Sequence, residues 1–538
     1  MNVSTDIKRL DQRPLQDALM RKNKRKFLGT DLDGVMRTLF TGNAWVAFII
    51  LGLITFSLFK EGLGFFPQHL DNLRVYRQAG LEYVDIVREQ HAAHGALLRF
   101  LQKVRQEKAA SLVATGADEG ATATALAPLD ELSRSFDAAV VPLDELLSEM
   151  TRTAAEIKER HTMALDAEIE KKNYLNAGMK EEADAVVVEH VDFQKEIAAV
   201  RGYFPRYLEV NAAFAAQLRE IGATVKSTGV PEIDQELKRF QSALGKYIDE
   251  FPGVEERMKA WDQNKPYSAI ESFTRFVFGT KWVTQSFWQD WYGFLPLFIG
   301  SVSISFTALL VAVPFGVGAA IYVNQLASPA EANFIKPYIE FISAIPSVVL
   351  GFFGIAVLGE TIRLVTQMEW LAWVPFFPIS ERLNIVTAGL LLGLMAVPTI
   401  FTLSEDAINN VPRAFKEASF ALGANRLQTI VRIIVPAALS GIISAVLLGF
   451  GRVIGETMVV LMCAGNRIEI PDFTQGLGAF FLPVHTMTGI IAQEIPEVPK
   501  GVLQYRALFM LAIMLFFISL AINYVAQLIV KKYRISIG

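Results

Sequence analysis

Residues 417–436 read Glu-Ala-Ser-Phe-Ala-Leu-Gly-Ala-Asn-Arg-Leu-Gln-Thr-Ile-Val-Arg-Ile-Ile-Val-Pro, a charged, turn-bearing stretch set between two strongly apolar segments. Ala418, Ala421 and Leu422 make a small apolar face on a first short helix, and Gly423 permits a sharp turn. A second short helix is expected to follow and to stop at Pro436. An elbow of this kind between membrane-length segments implies an all-α polytopic protein that presents a helix–turn–helix outside the bilayer.

The rest of the chain supports that reading. Its 538 residues are 52% hydrophobic and 20% charged, with a mean hydropathy of +0.33. The apolar content is unevenly spread, as in a membrane protein that carries a soluble portion. Six segments, near 40–59, 296–323, 338–358, 383–403, 437–463 and 506–530, have the roughly 20 residues needed to cross about 30 Å of hydrocarbon. The expected domains are a tail over 1–39, a first transmembrane helix over 40–60, an insertion over 61–290 and a membrane core over 291–538 with its loop at 404–436. Some forty polar residues precede the first span, which reads as a retained signal anchor rather than a cleaved leader.

Charge gives a direction. Lys22, Lys24, Arg25 and Lys26 precede the first span, Arg413, Lys416, Arg426 and Arg432 lie in the elbow, and Lys531, Lys532 and Arg534 follow the last. Placing all three clusters in the cytoplasm satisfies the positive-inside rule and puts both termini inside. Residues 61–290 then lie outside; they hold 27 Lys and Arg against 37 Asp and Glu, a net charge of −10.

Several functions are disfavoured. No basic patch with interleaved aromatics points to nucleic acid. Cys463 is the only cysteine, so no intrachain disulfide or cysteine cluster can form, and the six histidines show no metal-ligand spacing. No Gly-x-x-x-x-Gly-Lys-Ser/Thr loop occurs, so the chain does not cradle ATP in the P-loop manner. No metal or cofactor is expected.

The insertion reads as helical, with periodic segments near 70–114, 128–174, 180–221 and 231–262 separated at 116–120, 171–173 and 222–231. Pro128-Leu-Asp-Glu-Leu132 recurs at Pro142–Leu146, two heptads on, which suits a helix presenting one seam to its neighbours, with a kink or break expected at Pro142. The expected result is a bundle or hairpin of about 65 Å, if a 45-residue helix is straight. It serves as a spacer or docking platform in preference to a ligand sensor. Between Phe273 and Phe298 the chain turns aromatic-rich, which suits the headgroup level.

Within the fifth span stands Gly449-Phe-Gly-Arg-Val-Ile-Gly-Glu-Thr457. Arg452 near the bilayer centre costs about 2.5–3.5 kcal/mol on insertion scales, so it must face protein or water. Glu456, one turn on, is expected to share its face, and Gly451 with Gly455 offers a close-approach surface to another helix. A guanidinium beside a pathway suits an oxyanion, with the glutamate holding it until substrate competes. Ser347, next to Pro346, is a candidate cavity-lining hydroxyl. Ser301, Ser303, Ser305 and Thr307 are read as satisfying local carbonyls.

These motifs carry a resemblance. Glu417-Ala418, Gly423, Ile433 and Pro436 resemble the coupling loop of binding-protein-dependent ABC-importer permeases, with Ser419 and Val435 standing in for the usual alanine and leucine. Gly451-Arg-Val-Ile-Gly-Glu-Thr-Met458 resembles an element of the phosphate-specific permeases, nearest the PstC type, as do Ile345-Pro-Ser-Val-Val349, Ser404-Glu-Asp-Ala407 and Ala312-Val-Pro-Phe-Gly316. The likeness covers the first span and about 290–538, and leaves out most of 61–290. It implies the six-helix type I importer fold in a bacterial inner membrane. It also implies a phosphate pathway at Arg452, Glu456 and Thr457. The partners it implies are a second homologous permease, an ABC ATPase dimer and an extracytoplasmic phosphate-binding protein, with membrane lipid around them. The chain is then a transporter subunit and no enzyme. The rivals are a permease for molybdate or sulfate, a receptor with a helical sensor ectodomain, and a secondary transporter. The eight residues after the last span argue against the receptor, and the coupling loop against the secondary transporter.

Overall fold

A computed structural model describes residues 26–27, 30–114, 118–225, 231–284, 286, 288–371, 373–374 and 376–533. The flanking charges Lys22, Lys24, Arg25 and Arg534, and parts of the breaks at 116–120 and 222–231, lie outside the described residues. The first span is α1 (Leu32–Leu63). The chain then rises through α2 (Phe65–Gln78) and α3 (Leu81–Ala114) into the inserted domain. Its other main helices are α4 (Glu119–Ala139), α5 (Val141–Asn176), α6 (Phe204–Thr224), α7 (Pro231–Asp249) and α8 (Phe251–Ala260).

The domain is a helical bundle, but its segments differ from those expected. The two Pro-Leu-Asp-Glu-Leu copies fall on different helices. Pro128 lies within α4, whereas Pro142 sits in the first turn of α5, where proline fits because its missing N–H would be unpaired anyway. Each copy still sends two leucines inward: Leu129, Leu132, Leu143 and Leu146 are all buried. Helix α5 runs through Lys171-Lys172-Asn173 without a break and stops at Asn176. The expected segment 180–221 is in fact three helices, Lys180–Ala185, Phe193–Arg201 and α6, because Asp192 caps a new start and Gly202-Tyr203 turns the chain again. At 36 residues, α5 spans about 54 Å.

Within the bundle the buried Gln90 links three helices. It donates to Asn211 (2.8 Å) and accepts from Tyr207 (2.8 Å), while its carbonyl accepts from Tyr247 (2.9 Å). Such a satisfied network fixes the register of the packing. Nearby His94 is buried flat against Phe136, ring centroids 3.9 Å apart, and burial pulls its pKa from 6.5 to about 4. The unfolded chain therefore binds this proton more readily than the folded one. The histidine's contribution is intact above pH 6.5 and is lost as pH falls toward 4, amounting to about 2 kcal/mol at pH 5. The protection factors of α3 and α4 amides, exchange rates normalised to the intrinsic rate at each pH, should fall between pH 7 and pH 5, and His94→Phe should flatten that slope. An equal slope in both proteins would show that His94 is not its source.

A second core joins the bundle to the membrane helices. Helix α9 (Ala269–Val277) opens on a Ser268–Glu271 capping box. It leads into a hairpin pairing Trp282–Val283 with Trp291–Tyr292. Phe65 stacks on His69 and meets Phe276 (5.1 Å) and Tyr292 (5.9 Å). Lys158 of α5 reaches down to the Trp288 carbonyl (2.9 Å) and the Gln289 side chain (2.5 Å). The aromatic run thus forms a folded joint of helix and hairpin rather than a simple interfacial strip.

Beyond it lie α10 (Leu295–Gln325), α11 (Pro329–Ser343), α12 (Ser347–Phe353), α13 (Ile385–Asn409), α14 (Arg413–Ala421), α15 (Arg426–Thr429) and α16 (Val435–Ile454). The short α17 (Met458–Cys463), α18 (Met487–Glu494) and the last span α19 (Leu503–Tyr533) complete the core. Among the described residues, six helices are long and apolar enough to cross a membrane. Two spans are corrected. The third runs over 347–365, not 338–358, because Pro346 breaks the chain and the preceding α11 is a separate helix capped by Ser328. The fifth begins at Arg426 and ends at Ile454, so the expected 437–463 is split by a non-helical turn at 455–457. Helices α10, α13 and α16 pack at glycines: Gly389 and Gly393 on α10, and Gly441 and Gly449 of α16 on Ala407 and Ile400. A Cβ at any of these four would fall within 3 Å of a neighbour.

Candidate functional site: a mid-membrane arginine and an elbow

Arg452 occupies the last turn of α16. It is exposed in this chain, and its Nη1 donates to Thr399 Oγ1 at 3.0 Å. Thr399 is the fifteenth of the 25 residues of α13, so the guanidinium lies level with the middle of that helix. Gly451 has nothing within 4 Å of its Cβ position, and Gly455 meets only its own helix backbone. That face of α16 is uncovered; the close helix contacts use Gly441 and Gly449 instead.

Glu456 does not share this face. The helix ends at Ile454, so Glu456 leaves the spiral and turns toward α10. Its carboxylate accepts from the Met458 N–H (3.2 Å), its carbonyl accepts from Thr488 Oγ1 (2.8 Å), and among the described residues no ion pair joins it to Arg452. The expected Arg–Glu pair is therefore absent, because i,i+4 adjacency requires an unbroken helix. Glu456 borders a small pocket with Ser301, Ser305, Thr486 and Thr488. Ser305 and Thr307 return their hydroxyls to the carbonyls of Ser301 and Ser303 (2.7 and 2.9 Å), as expected, while Ser301 Oγ also accepts from the Met487 N–H (3.0 Å). Gly300 lets this segment cross, since a Cβ there would sit 2.1 Å from the His485 carbonyl oxygen. Thr457 is half-buried in the turn. Ser347 is half-buried at the start of α12, whose Gly351 and following Gly354 pack on Met462 and Cys463. Ser347 thus belongs to the helix against α17, and among the described residues no hydrogen bond ties it to Arg452. Thr399, Thr486 and Thr488 escaped the sequence reading; a lone threonine beside Pro398 or outside any span carries no pattern.

The elbow lies at the other end of the spans from the inserted domain. The inserted domain joins α10 at Leu295, whereas Lys416 Nζ donates to Gln325 (3.1 Å) at the far end of α10. Helix α14 closes with paired bonds, Gly423 N–H to the Phe420 carbonyl (2.9 Å) and Ala424 N–H to the Ser419 carbonyl (3.1 Å). Gly423 has φ +82°, a conformation that costs a residue with a Cβ about 1–2 kcal/mol. Asn425 and Gln428 then form a capping box. The second helix does not stop at Pro436. A π-helical turn over Ile430–Ile434 carries it into α16, where Pro436 sits in the first turn and is tolerated. Ser419 Oγ bonds Thr429 Oγ1 (2.9 Å), both buried, so this serine ties the two arms together. Ala418, Gly423, Ile433 and Pro436 line an open groove of about 700 Å³ with Phe415 and Leu422, while Glu417 is exposed beside it. Leu422 is 89% exposed, a large apolar side chain at an uncovered tip.

Comparison with known proteins covers the membrane core. A family described as "Binding-protein-dependent transport system inner membrane component" matches residues 312–535. The phosphate transport system permease protein PstC of Haemophilus influenzae is 30% identical over 49% of this chain and 84% of its own length. The Pasteurella multocida protein of the same name is 28% identical over 49% and 83%. The probable ABC transporter permease protein YqgH of Bacillus subtilis is 33% identical over 44% of this chain and 72% of its own.

Proposed function

We infer that this chain, which belongs to the family of binding-protein-dependent transport system inner membrane components, is the permease subunit of an ATP-driven inorganic phosphate importer. It is a multi-pass protein of the inner membrane and no enzyme; ATP hydrolysis belongs to a separate subunit, and a substrate-binding protein delivers the cargo. The observation that carries the phosphate pathway is Arg452, a guanidinium level with the middle of α13 on an uncovered helix face with a single hydroxyl partner. Its remaining N–H donors suit an oxyanion. A second, homologous permease would close that face and complete the path. Glu456 and Thr457 stand at the helix break and Ser347 on α12, all off the Arg452 face, so of these four residues Arg452 alone carries the path in this chain.

Glu417, Ala418, Gly423, Ile433 and Pro436 form the surface for the ATPase. With the elbow and both termini in the cytoplasm, the 61–290 domain stands outside the membrane. Nucleotide binding draws the two elbows together and opens the core outward; the work comes from the nucleotide's differential affinity for the two states. Reconstituted alone in liposomes, the chain should pass no phosphate. With ATPase, second permease and binding protein it should show ATP-dependent uptake that excess sulfate or molybdate does not block. Flux by the lone chain would refute the coupling, and inhibition by sulfate or molybdate would move the cargo to another oxyanion.

A further inference from the structure

A cavity of about 1050 Å³ lies where the inserted domain meets the membrane core, and the transport reading leaves it unused. Helices α2 and α3 form one wall, α8 and α9 a second, and the Trp282–Tyr292 hairpin the third. The hairpin packs down because Gly279 and Gly293 touch; a Cβ on either would come within 3 Å of the other's backbone.

Its charges are unevenly matched. Six cations line it, Arg77, Arg88, Arg257, Lys265, Arg275 and Lys281, against the four carboxylates Glu82, Asp85, Glu89 and Asp262. Most of these cancel in pairs. Arg77 holds both oxygens of Glu82, which also accepts from Trp261 (3.1 Å) and Tyr267 (2.7 Å), and these bonds keep its carboxyl below the usual range despite burial. Arg88 is bonded to Asp85, and Arg257 faces Glu89 at 3.7 Å. Arg275 is a second guanidinium on the already saturated Glu82, at 3.6 Å. Lys265 and Lys281 have no carboxylate within 4 Å among the described residues, although Lys281 stands near enough to Asp85, already held by Arg88, to favour its charged form. The lining is therefore two charges positive, within a segment whose net charge is −10.

Two further properties narrow the ligand. The volume far exceeds that of a bare oxyanion, and the remaining wall is aromatic, with Trp261, Trp288, Trp291, Tyr292 and Phe278. An excess of +2 matches a phosphomonoester, which carries about −1.5 to −2 at pH 7. Aromatic faces favour stacking of an organic group. We propose that this cavity binds a phosphomonoester, its phosphoryl group held by Arg275, Lys265 and Lys281 and its organic part laid on the tryptophan wall. The cavity sits just before Leu295, where α10 enters the bilayer, so the ester could be a soluble metabolite or the headgroup of a phosphatidic acid. The proposal does not rest on phosphate transport, because binding is read whether or not anything moves.

Three of the seven tryptophans line the cavity and make fluorescence the reporter. The full chain in phosphatidylcholine nanodiscs is titrated with phenyl phosphate, orthophosphate and benzoate. Phenyl phosphate should quench saturably, with the other two about tenfold weaker or more, since each lacks either the ring or the second charge. Lys281→Glu and Lys265→Glu, both at exposed positions, should each weaken phenyl phosphate about tenfold, roughly the loss of one charge-assisted contact. Equal affinity for orthophosphate, or undiminished binding in both variants, would overturn the proposal. Discs containing phosphatidic acid separate the sources: a suppressed response assigns the site to the lipid headgroup, and an unchanged one to a soluble ester.

Discussion

Arg452→Gln is expected to reduce ATP-driven phosphate uptake by roughly 100-fold or more, because at least two charge-assisted hydrogen bonds of about 1.5–3 kcal/mol each are lost. Glutamine ends two bonds short of Nη1, so the 3.0 Å contact to Thr399 is lost along with the charge, and a separate variant at Thr399 is needed to weigh that contact. Insertion should improve slightly, since the substitution removes a charge costing about 2.5–3.5 kcal/mol at mid-membrane. Membrane level and co-purification of the ATPase should therefore stay unchanged while transport collapses. Arg452→Lys separates charge from geometry: it keeps the cation, loses the planar fork and should retain partial uptake. Thr399→Val removes only the partner and should cost far less than either. If Arg452→Gln transports normally, the guanidinium is a packing residue and the path lies elsewhere. A packing role is already hard to reconcile with an exposed side chain that makes one hydroxyl contact.

The parts of this molecule legible in the sequence were those with local causes. Span number followed from apolar length, and the elbow from Gly423 between two short amphipathic arms. The carbonyl bonds of Ser305 and Thr307 followed from i−4 spacing on one helix. Misreadings came where a tertiary contact decided a boundary. Apolar residues on both sides of Pro346 concealed the end of α11, and the apolar run through 455–463 concealed the end of α16. There the break lets Glu456 meet Thr488, which sits 32 residues on and outside any membrane-length segment. The Arg452–Glu456 pair failed for the same reason: four-residue spacing implies a shared face only while the helix continues. In the bundle, a two-heptad repeat suggested one helix where the chain kinks at Val140 and runs on in the same sense, Asp130 beside Arg105, Phe136 beside His94 and Thr151 beside Arg88, because leucine spacing records which side is buried and not whether the helix is interrupted. The charge imbalance of the cavity was also hidden, its six cations being spread from Arg77 to Lys281.

Gly423→Trp is expected to release the ATPase, lowering the co-purified amount at least about tenfold, which corresponds to a loss of about 1.4 kcal/mol or more. Two effects are combined in that substitution and have to be separated. Any residue with a Cβ at φ +82° strains the turn, by about 1–2 kcal/mol. Only a bulky one also fills the space beside Ala418, Ile433 and Pro436, since nothing in this chain lies within 4 Å of the added Cβ. Gly423→Ala carries the strain without the bulk, and Gly423→Asn lowers the strain because asparagine tolerates left-handed backbone. The expected order of ATPase retention is wild type, then Asn, then Ala, with Trp far below. Equal loss in Ala and Trp would mean that the turn's geometry matters and the groove does not. Full ATPase stoichiometry and normal uptake with Trp would remove the elbow from the docking surface. Ser419→Val offers an internal control: it breaks the bond to Thr429 that ties the arms while leaving the tip exposed. It should loosen ATPase binding only partly, because the paired turn bonds and the Asn425 capping box still hold the elbow's shape.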